Sequence, residues 1–262
     1  MKWSDICRAS LLIVFCASMA HAQLNLCPPV EQNPRTQSLT VYLWVPGQHG
    51  DAIIRGTPVN VDTSISDSWD NLWDDFEGAF SAHYENSKLP WTYIVDVLYL
   101  RLENTVNTQQ YGPLTLTPTN WLAEAAVTYA VSASPAGTKR PYRTEVLGGL
   151  RYTSMELEIS DITGAKTSGR QDWIDPFIGA RYSKNFSSHW GYSVRGDVGG
   201  FGVGDHISWN AVLTLEDVLS PQWALDAGWR WLTYDYDNGE GPTRFQFDVT
   251  QNGPFIGTTY RF

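Results

Sequence analysis

Fourteen ionisable residues recur on the polar positions of alternating stretches: Glu77, His83, Glu85, Glu124, Arg143, Glu145, Arg151, Asp175, Arg181, Arg195, Asp197, Asp226, Arg230 and Arg261. Six are arginines and seven are carboxylates. Guanidinium and carboxylate groups pair with two-pronged geometry, so a near balance of the two points to a structural ion network. A wide ion channel would instead show an unpaired ring of one sign. The same set is also compatible with a narrow passage lined by arginine.

Other chemistry is weaker. A serine hydrolase needs a histidine within reach of a serine, with an acid behind it. The nearest set is Ser81, His83 and Glu85, but residues two apart on a strand lie roughly 7 Å apart, which predicts packing and not catalysis. Asp205 and His206 are adjacent, so on a strand they point to opposite faces. The acidic turn Asp235, Asp237, Asn238, Gly239, Glu240 is shorter than a calcium loop. The glycine run 199–204 precedes no helix and reads as a strand-to-strand turn, not a phosphate loop. No catalytic residue, cofactor or metal site is expected.

The elements that carry these side chains are strands. Apolar and polar residues alternate in ten stretches: 38–46, 76–86, 91–103, 120–131, 142–154, 172–183, 192–199, 206–216, 222–234 and 243–262. In 222–234, Trp223, Leu225, Ala227, Trp229 and Trp231 alternate with Ala224, Asp226, Gly228 and Arg230. The stretch 91–103 is the least regular, because Asp96 shares parity with Leu98, Leu100 and Leu102. A bulge there would restore the pattern. Connections alternate between short (87–90, 133–141, 185–189, 218–221) and mostly longer (47–75, 104–119, 158–171, 235–243), with 200–205 a short one on the long side.

Stretches of nine or more residues have the length of a tilted membrane strand. Short turns alternating with long loops, and an even strand count, are habits of outer-membrane barrels. Trp44, Trp91, Trp121, Trp173, Trp190, Trp209 and Trp223 read as aromatic girdles. The final strand closes on Tyr260 and Phe262, like the C-terminal signal read by the barrel-assembly machinery. A secreted β-sandwich also alternates, but charges of both signs in mid-strand favour a barrel lumen. The fold class is therefore all-β: a single antiparallel transmembrane barrel of about ten strands, eight or twelve being possible.

The N-terminus supports this location. Lys2 and Arg8 precede a short apolar run at 11–17, and Ala20, His21, Ala22 form a small-x-small ending. This is a signal peptide over 1–22, followed by a periplasmic segment 23–37 and the barrel 38–262. Cys7 and Cys16 leave with the signal, and Cys27 alone cannot form an intramolecular disulfide.

Nearly all of 38–262 resembles a widespread, largely uncharacterised group of Gram-negative outer-membrane β-barrel proteins. The resemblance is carried by Trp44, Val45, Pro46, Gly47 with Gly50 and Asp51, by 172–182 around Asp172, Trp173, Asp175 and Pro176, by the glycine-rich 195–204, and by 253–262. It implies fold and outer-membrane location but no activity.

The first long connection, 47–75, is the most distinctive. Residues 52–56 and 59–61 suggest a small hairpin. Trp69, Leu72, Trp73 and Phe76 then recur at i, i+3, i+4 and i+7, one face of a short helix. That helix would plug the barrel mouth, touch the lipid surface or cap the barrel by packing on itself.

Composition bounds the partners. The chain has 262 residues, 18 Lys and Arg against 28 Asp and Glu, and a net charge of −10. Charged residues are 18% and aromatics 13%, which excludes general disorder. An acidic balance without a basic block excludes nucleic acid as the main partner. The expected partners are outer-membrane lipid, lipopolysaccharide and the barrel-assembly machinery; oligomeric state stays open. Functionally the reading is a non-enzymatic barrel with a filled lumen, with a narrow, porin-like channel or an outer-membrane hydrolase as alternatives.

Overall fold

The computed structural model describes residues 35–262 apart from 55–56, 75–77, 102–103, 109–111, 136, 202–204 and 242–243. The expected signal peptide 1–22, almost all of the segment 23–37, Glu77 and Phe76 lie outside the described residues.

Among those described, ten strands form the wall, in the order β1 (Thr36–Trp44), β4 (Ala79–Lys88), β5 (Trp91–Arg101), β7 (Gly112–Ala133), β8 (Tyr142–Asp161), β9 (Lys166–Asn185), β10 (Trp190–Gly199), β11 (Asp205–Val218), β12 (Trp223–Asn238) and β13 (Phe245–Arg261). Every pairing is antiparallel. The wall closes where β1 meets β13, from Ser38 opposite Arg261 to Trp44 opposite Phe255. Closure leaves no strand edge without partners, which a hydrocarbon environment requires. All ten expected strands are present, with their ends shifted.

Three further strands stand on one end of the wall. β2 (Gly47–Ile54) continues β1 past Pro46 and pairs with the start of β13, and β3 (Thr57–Thr63) adds to β2. β6 (Asn104–Thr108) folds back on β7. The helix α1 (Ile65–Asp74) follows β3. Ser64 caps it: the Asp67 amide donates to Ser64 Oγ at 3.1 Å, and the Ser64 amide donates to Asp67 Oδ2 at 3.1 Å. This reciprocal cap fixes the helix start and holds the Asp67 carboxyl below its usual range.

The connections expected as long loops are largely strand. β7 has 22 residues and β8 and β9 have 20 each, about twice the nine to eleven that span a bilayer. Their outer halves pair with each other, so backbone groups beyond the membrane are satisfied by the ladder and not by irregular turns.

Outward side chains make an apolar belt that includes Tyr93, Val95, Leu150, Ile174, Ile178, Leu213 and Ile256, all well exposed. Such an area is far larger than a water-soluble surface carries. On β5 it runs from Trp91 to Tyr99 and stops at Arg101; on β12 it runs from Trp223 to Trp231 and stops before Asp235. Trp91, Trp121, Trp190, Trp209 and Trp223 lie on this face as expected.

Two expectations about side-chain direction are corrected. Trp44 and Trp173 are not girdle residues; they are 2% and 8% exposed and pack inside the barrel. No bulge occurs at Asp96, because β5 stays in uninterrupted register with β4 and β7. Asp96, Leu98 and Leu100 all point inward. The parity looked irregular because the lumen is polar at the level of Asp96 and apolar two residues on.

Candidate functional site: the barrel lumen

The lumen is built in layers. Nearest the long-strand end lies an apolar layer of Trp44, Leu98, Leu100, Leu122, Met155, Trp173, Leu232, Tyr234 and Tyr236. Tryptophan and tyrosine rings meet there across strands, with Trp173 stacked on Tyr236 at 4.5 Å and edge-on to Tyr234 at 5.8 Å. Leu122 and Leu232 have no exposed surface.

The ion network lies below this layer. Glu124 (β7) is its centre. It accepts from Arg151 Nε at 2.7 Å, from Arg195 Nη2 at 2.8 Å and from Arg230 Nη2 at 3.3 Å. Asp197 accepts from Arg151 Nη2 at 2.5 Å and from Arg195 Nε at 2.9 Å. Asn210 links the two halves, donating to Asp197 and accepting from Arg230 Nε. The Phe177 ring lies under two guanidinium groups, Arg151 at 4.9 Å and Arg195 at 5.4 Å. Burying one charge in a dry interior is costly, and only such complete pairing compensates it.

A second cluster continues toward the terminal end. Asp96 accepts from the Tyr42 hydroxyl at 3.0 Å and lies 3.5 Å from Arg230 Nη1. His83 places Nδ1 3.0 Å from Asp96 Oδ2 and Nε2 3.0 Å from Glu85 Oε1. Glu85 pairs with Arg181, which also donates to Glu145 at 2.7 Å. Arg143 Nε is 3.2 Å from Glu145 Oε2. Nearest the terminal end, Arg261 pairs with Glu216, and Thr259 donates to Asp226 at 2.5 Å.

Thirteen of the fourteen ionisable residues singled out in the sequence therefore face the lumen, and Glu77 lies outside the described residues. Several participants were not foreseen: Asp96, Tyr42, Asn210, Ser208 and Glu216. Asp96 carried a signal, since a lone carboxylate among leucines is costly unless partnered. The 3.0 Å contact of His83 with Glu85 and the 2.9 Å contact of Arg195 with Asp197 correct the expectation that residues two apart on a strand are out of reach. Long side chains lean along the strand and close the gap.

His206 turns inward beside the apolar layer. Its Nε2 lies 2.7 Å from Asp175 Oδ1 without hydrogen-bond geometry, and Asp175 Oδ2 accepts from Ser208 Oγ at 3.2 Å and Trp173 Nε1 at 3.2 Å. The described ring-nitrogen partners of both His83 and His206 are carboxylates. Ser208 donates to the acid and not to the histidine, so it lacks the contact that activates a nucleophile. Among the described residues no group of three or more His, Cys, Asp or Glu is placed to hold a metal ion.

Beneath the ion network a cavity of about 560 Å³ opens at the end that carries the start of β1, Phe262 and the short turns. Its rim includes Thr36, Gln37, Pro221, Gln222 and Phe262. The lumen is thus filled toward the long-strand end and hollow near the start of β1 and Phe262.

The remaining predicted positions lie outside the lumen network. Trp69 on α1 is 45% exposed; the backbones of Leu72 and Trp73 are on the same helix, whose Ser68 Oγ donates to the Pro46 carbonyl at 2.6 Å. The helix therefore sits beside the β1–β2 junction. Tyr260 and Phe262 meet edge-on at 5.1 Å on the last strand. Asp237, in the acidic turn, pairs with Arg244 Nη2 at 2.6 Å.

No protein-family model matches the chain, and no curated protein matches it by sequence. Solved structures do. The outer-membrane protease OmpT from Escherichia coli aligns over 88% of this chain and 98% of its own, at 7% identity and a TM-score of 0.55. Ail, the attachment invasion locus protein of Yersinia pestis, aligns over 87% of this chain and 99% of its own, at 10% identity and a TM-score of 0.39. The translocator domain of the autotransporter NalP from Neisseria meningitidis aligns over 89% and 91%, at 12% identity and a TM-score of 0.38. At these identities a likeness speaks to fold and not to activity. With its strands closed into a ring, an apolar belt around the outside and charges kept within, the chain has the fold of the Gram-negative outer-membrane β-barrels.

Proposed function

We propose that the protein is a non-enzymatic barrel of the Gram-negative outer membrane, sealed to solute flow, with a structural or surface-contact role. The observation that carries this reading is Glu124, 2% exposed and held by arginines from three other strands. An open pore needs hydrated charges; these are used up on one another, and an apolar layer closes the lumen beside them. In this reading residues 1–22 are cleaved as a signal peptide, the short-turn end faces the periplasm, and the last strand with Tyr260 and Phe262 is read by the assembly machinery. The long strands, α1 and the β2–β3 hairpin then stand outside, facing lipopolysaccharide and whatever the cell meets.

The test is conductance of the refolded mature protein in a planar bilayer, with folding checked by a heat-shifted gel band. Silence is expected. Steady steps that change when Arg151, Arg195 or Arg230 is replaced would overturn the sealed reading in favour of a narrow channel.

One observation favours a second reading, a hydrolase: the buried His206–Asp175 pair at 2.7 Å. Turnover of peptide or ester substrates by intact cells, lost in His206→Ala, would establish it in place of the first.

A further inference from the structure

The terminal cavity is lined by hydroxyls on both sides and by aromatic rings on one. Ser193 on β10 stands opposite Ser183 on β9 and Thr214 on β11, so three hydroxyls form a row across neighbouring strands. Strand separation spaces such a row at roughly 4.8 Å. Across the lumen, β1 and β13 contribute Tyr42 and Phe255, whose rings meet edge-on at 5.9 Å, and Phe262 stands at the rim. In all, eleven lining residues carry a hydroxyl or an amide.

The arginines of the cavity are paired, and Asp226 accepts from Thr259. Arg143, Arg181, Arg195, Arg230 and Arg261 each lie in an ion pair with a carboxylate. An anionic ligand would have to draw one of these arginines from its pair at the full cost of desolvation. A neutral one would not.

We propose that this cavity binds a small neutral saccharide entering from the periplasmic end. A pyranose ring offers what this lining asks for: a C–H face that packs on aromatic rings and an edge of hydroxyls that can both donate and accept. The volume falls within the roughly 300–1,000 Å³ of ligand sites. This goes beyond the sealed-barrel reading and rests on it for the closed outer end and for the periplasmic direction of the open one. Bilayer conductance reports the seal, and calorimetry reports the site, so the two fail separately.

The experiment is isothermal titration calorimetry of the refolded protein in micelles of a detergent without a sugar headgroup. Trehalose serves as a free disaccharide and maltoheptaose as a glucan chain end. Saturable one-to-one binding of trehalose is expected, and maltoheptaose binding as well would assign a chain end to the site. Ser193→Phe fills the cavity and should abolish binding. Thr214→Val keeps the shape, removes one hydroxyl and should weaken binding roughly three- to tenfold. No binding of either sugar by folded protein, unchanged binding in Ser193→Phe, or binding of glutamate or spermidine in place of the sugars would each overturn the proposal.

Discussion

Arg230 and Glu124 stand on opposite sides of the wall, β12 and β7 being five positions apart on a ring of ten, yet Nη2 of one lies 3.3 Å from Oε1 of the other. A guanidinium reaching across the whole barrel is a cross-brace. It ties strands that share no backbone hydrogen bond, and it occupies the centre of the path a solute would need.

Removing the hub of that brace should be severe. Glu124→Ala leaves Arg151, Arg195 and Arg230 short of one carboxylate in a buried layer, and breaking a buried pair costs about 3–5 kcal/mol. Urea unfolding of the refolded barrel, followed by tryptophan fluorescence, should show the loss. A change below about 1 kcal/mol would mean that water already penetrates the layer.

The apolar layer should fail differently. Leu232→Ala opens a cavity where no surface is exposed and should lower stability by about 2–5 kcal/mol, while bilayer conductance stays silent because the ion network remains. Conductance in this variant would place the seal in the apolar layer instead.

Gly149 faces the Phe177 ring: an added Cβ would lie 2.8 Å from Phe177 Cζ and 2.3 Å from the Ala125 carbonyl oxygen. Gly149→Ala should therefore displace the ring on which Arg151 and Arg195 rest, at about 1–3 kcal/mol for overpacking. Thermal unfolding monitored by the heat-shifted band reads this directly. An unchanged midpoint would show that the ring and the β7 backbone at Ala125 both give way at little cost.

The lipid belt can be probed at Ile178, 59% exposed on the outer face of β9. Ile178→Arg should cost about 2–4 kcal/mol if the residue sits near the bilayer midplane. Folding into phospholipid vesicles, scored against the same variant in micelles, separates a membrane effect from a packing effect. Equal stability in both would remove Ile178 from the midplane.

The β8–β9 turn gives a pH expectation. Asp161 Oδ1 accepts from the Thr163 hydroxyl at 2.6 Å, the Thr163 amide at 2.8 Å and the Ala165 amide at 3.0 Å. The Thr163 hydroxyl and the turn amides hold its carboxyl below the ordinary 3.8. A depressed value in the folded state means that the stabilisation is present above the unfolded pKa and lost as pH falls through the folded one. Amide exchange at Thr163 and Ala165, corrected for intrinsic rates, should accelerate below about pH 4, and Asp161→Asn should exchange fast at every pH.

Much of this molecule was legible in the sequence. Period two fixes which side of a strand each residue takes, and a membrane forces that alternation over nearly every strand, so Arg151, Glu124 and Asp197 could be assigned to the inside without coordinates. Alternation has no register, however, and no height. Whether Glu124 meets Arg151, Arg195 or Arg230 depends on how ten strands stagger around the ring, which is a property of closure and not of any one strand. Trp44 and Trp173 were misplaced for the same reason. Their residue type suits a lipid interface, but their parity, read with Asp175 and Tyr42, puts them inside, and an inner apolar layer is only evident once the strands stand side by side. The hollow near the termini belongs wholly to the tertiary structure, because a cavity is the space that side chains from many strands fail to fill, and no local pattern records it.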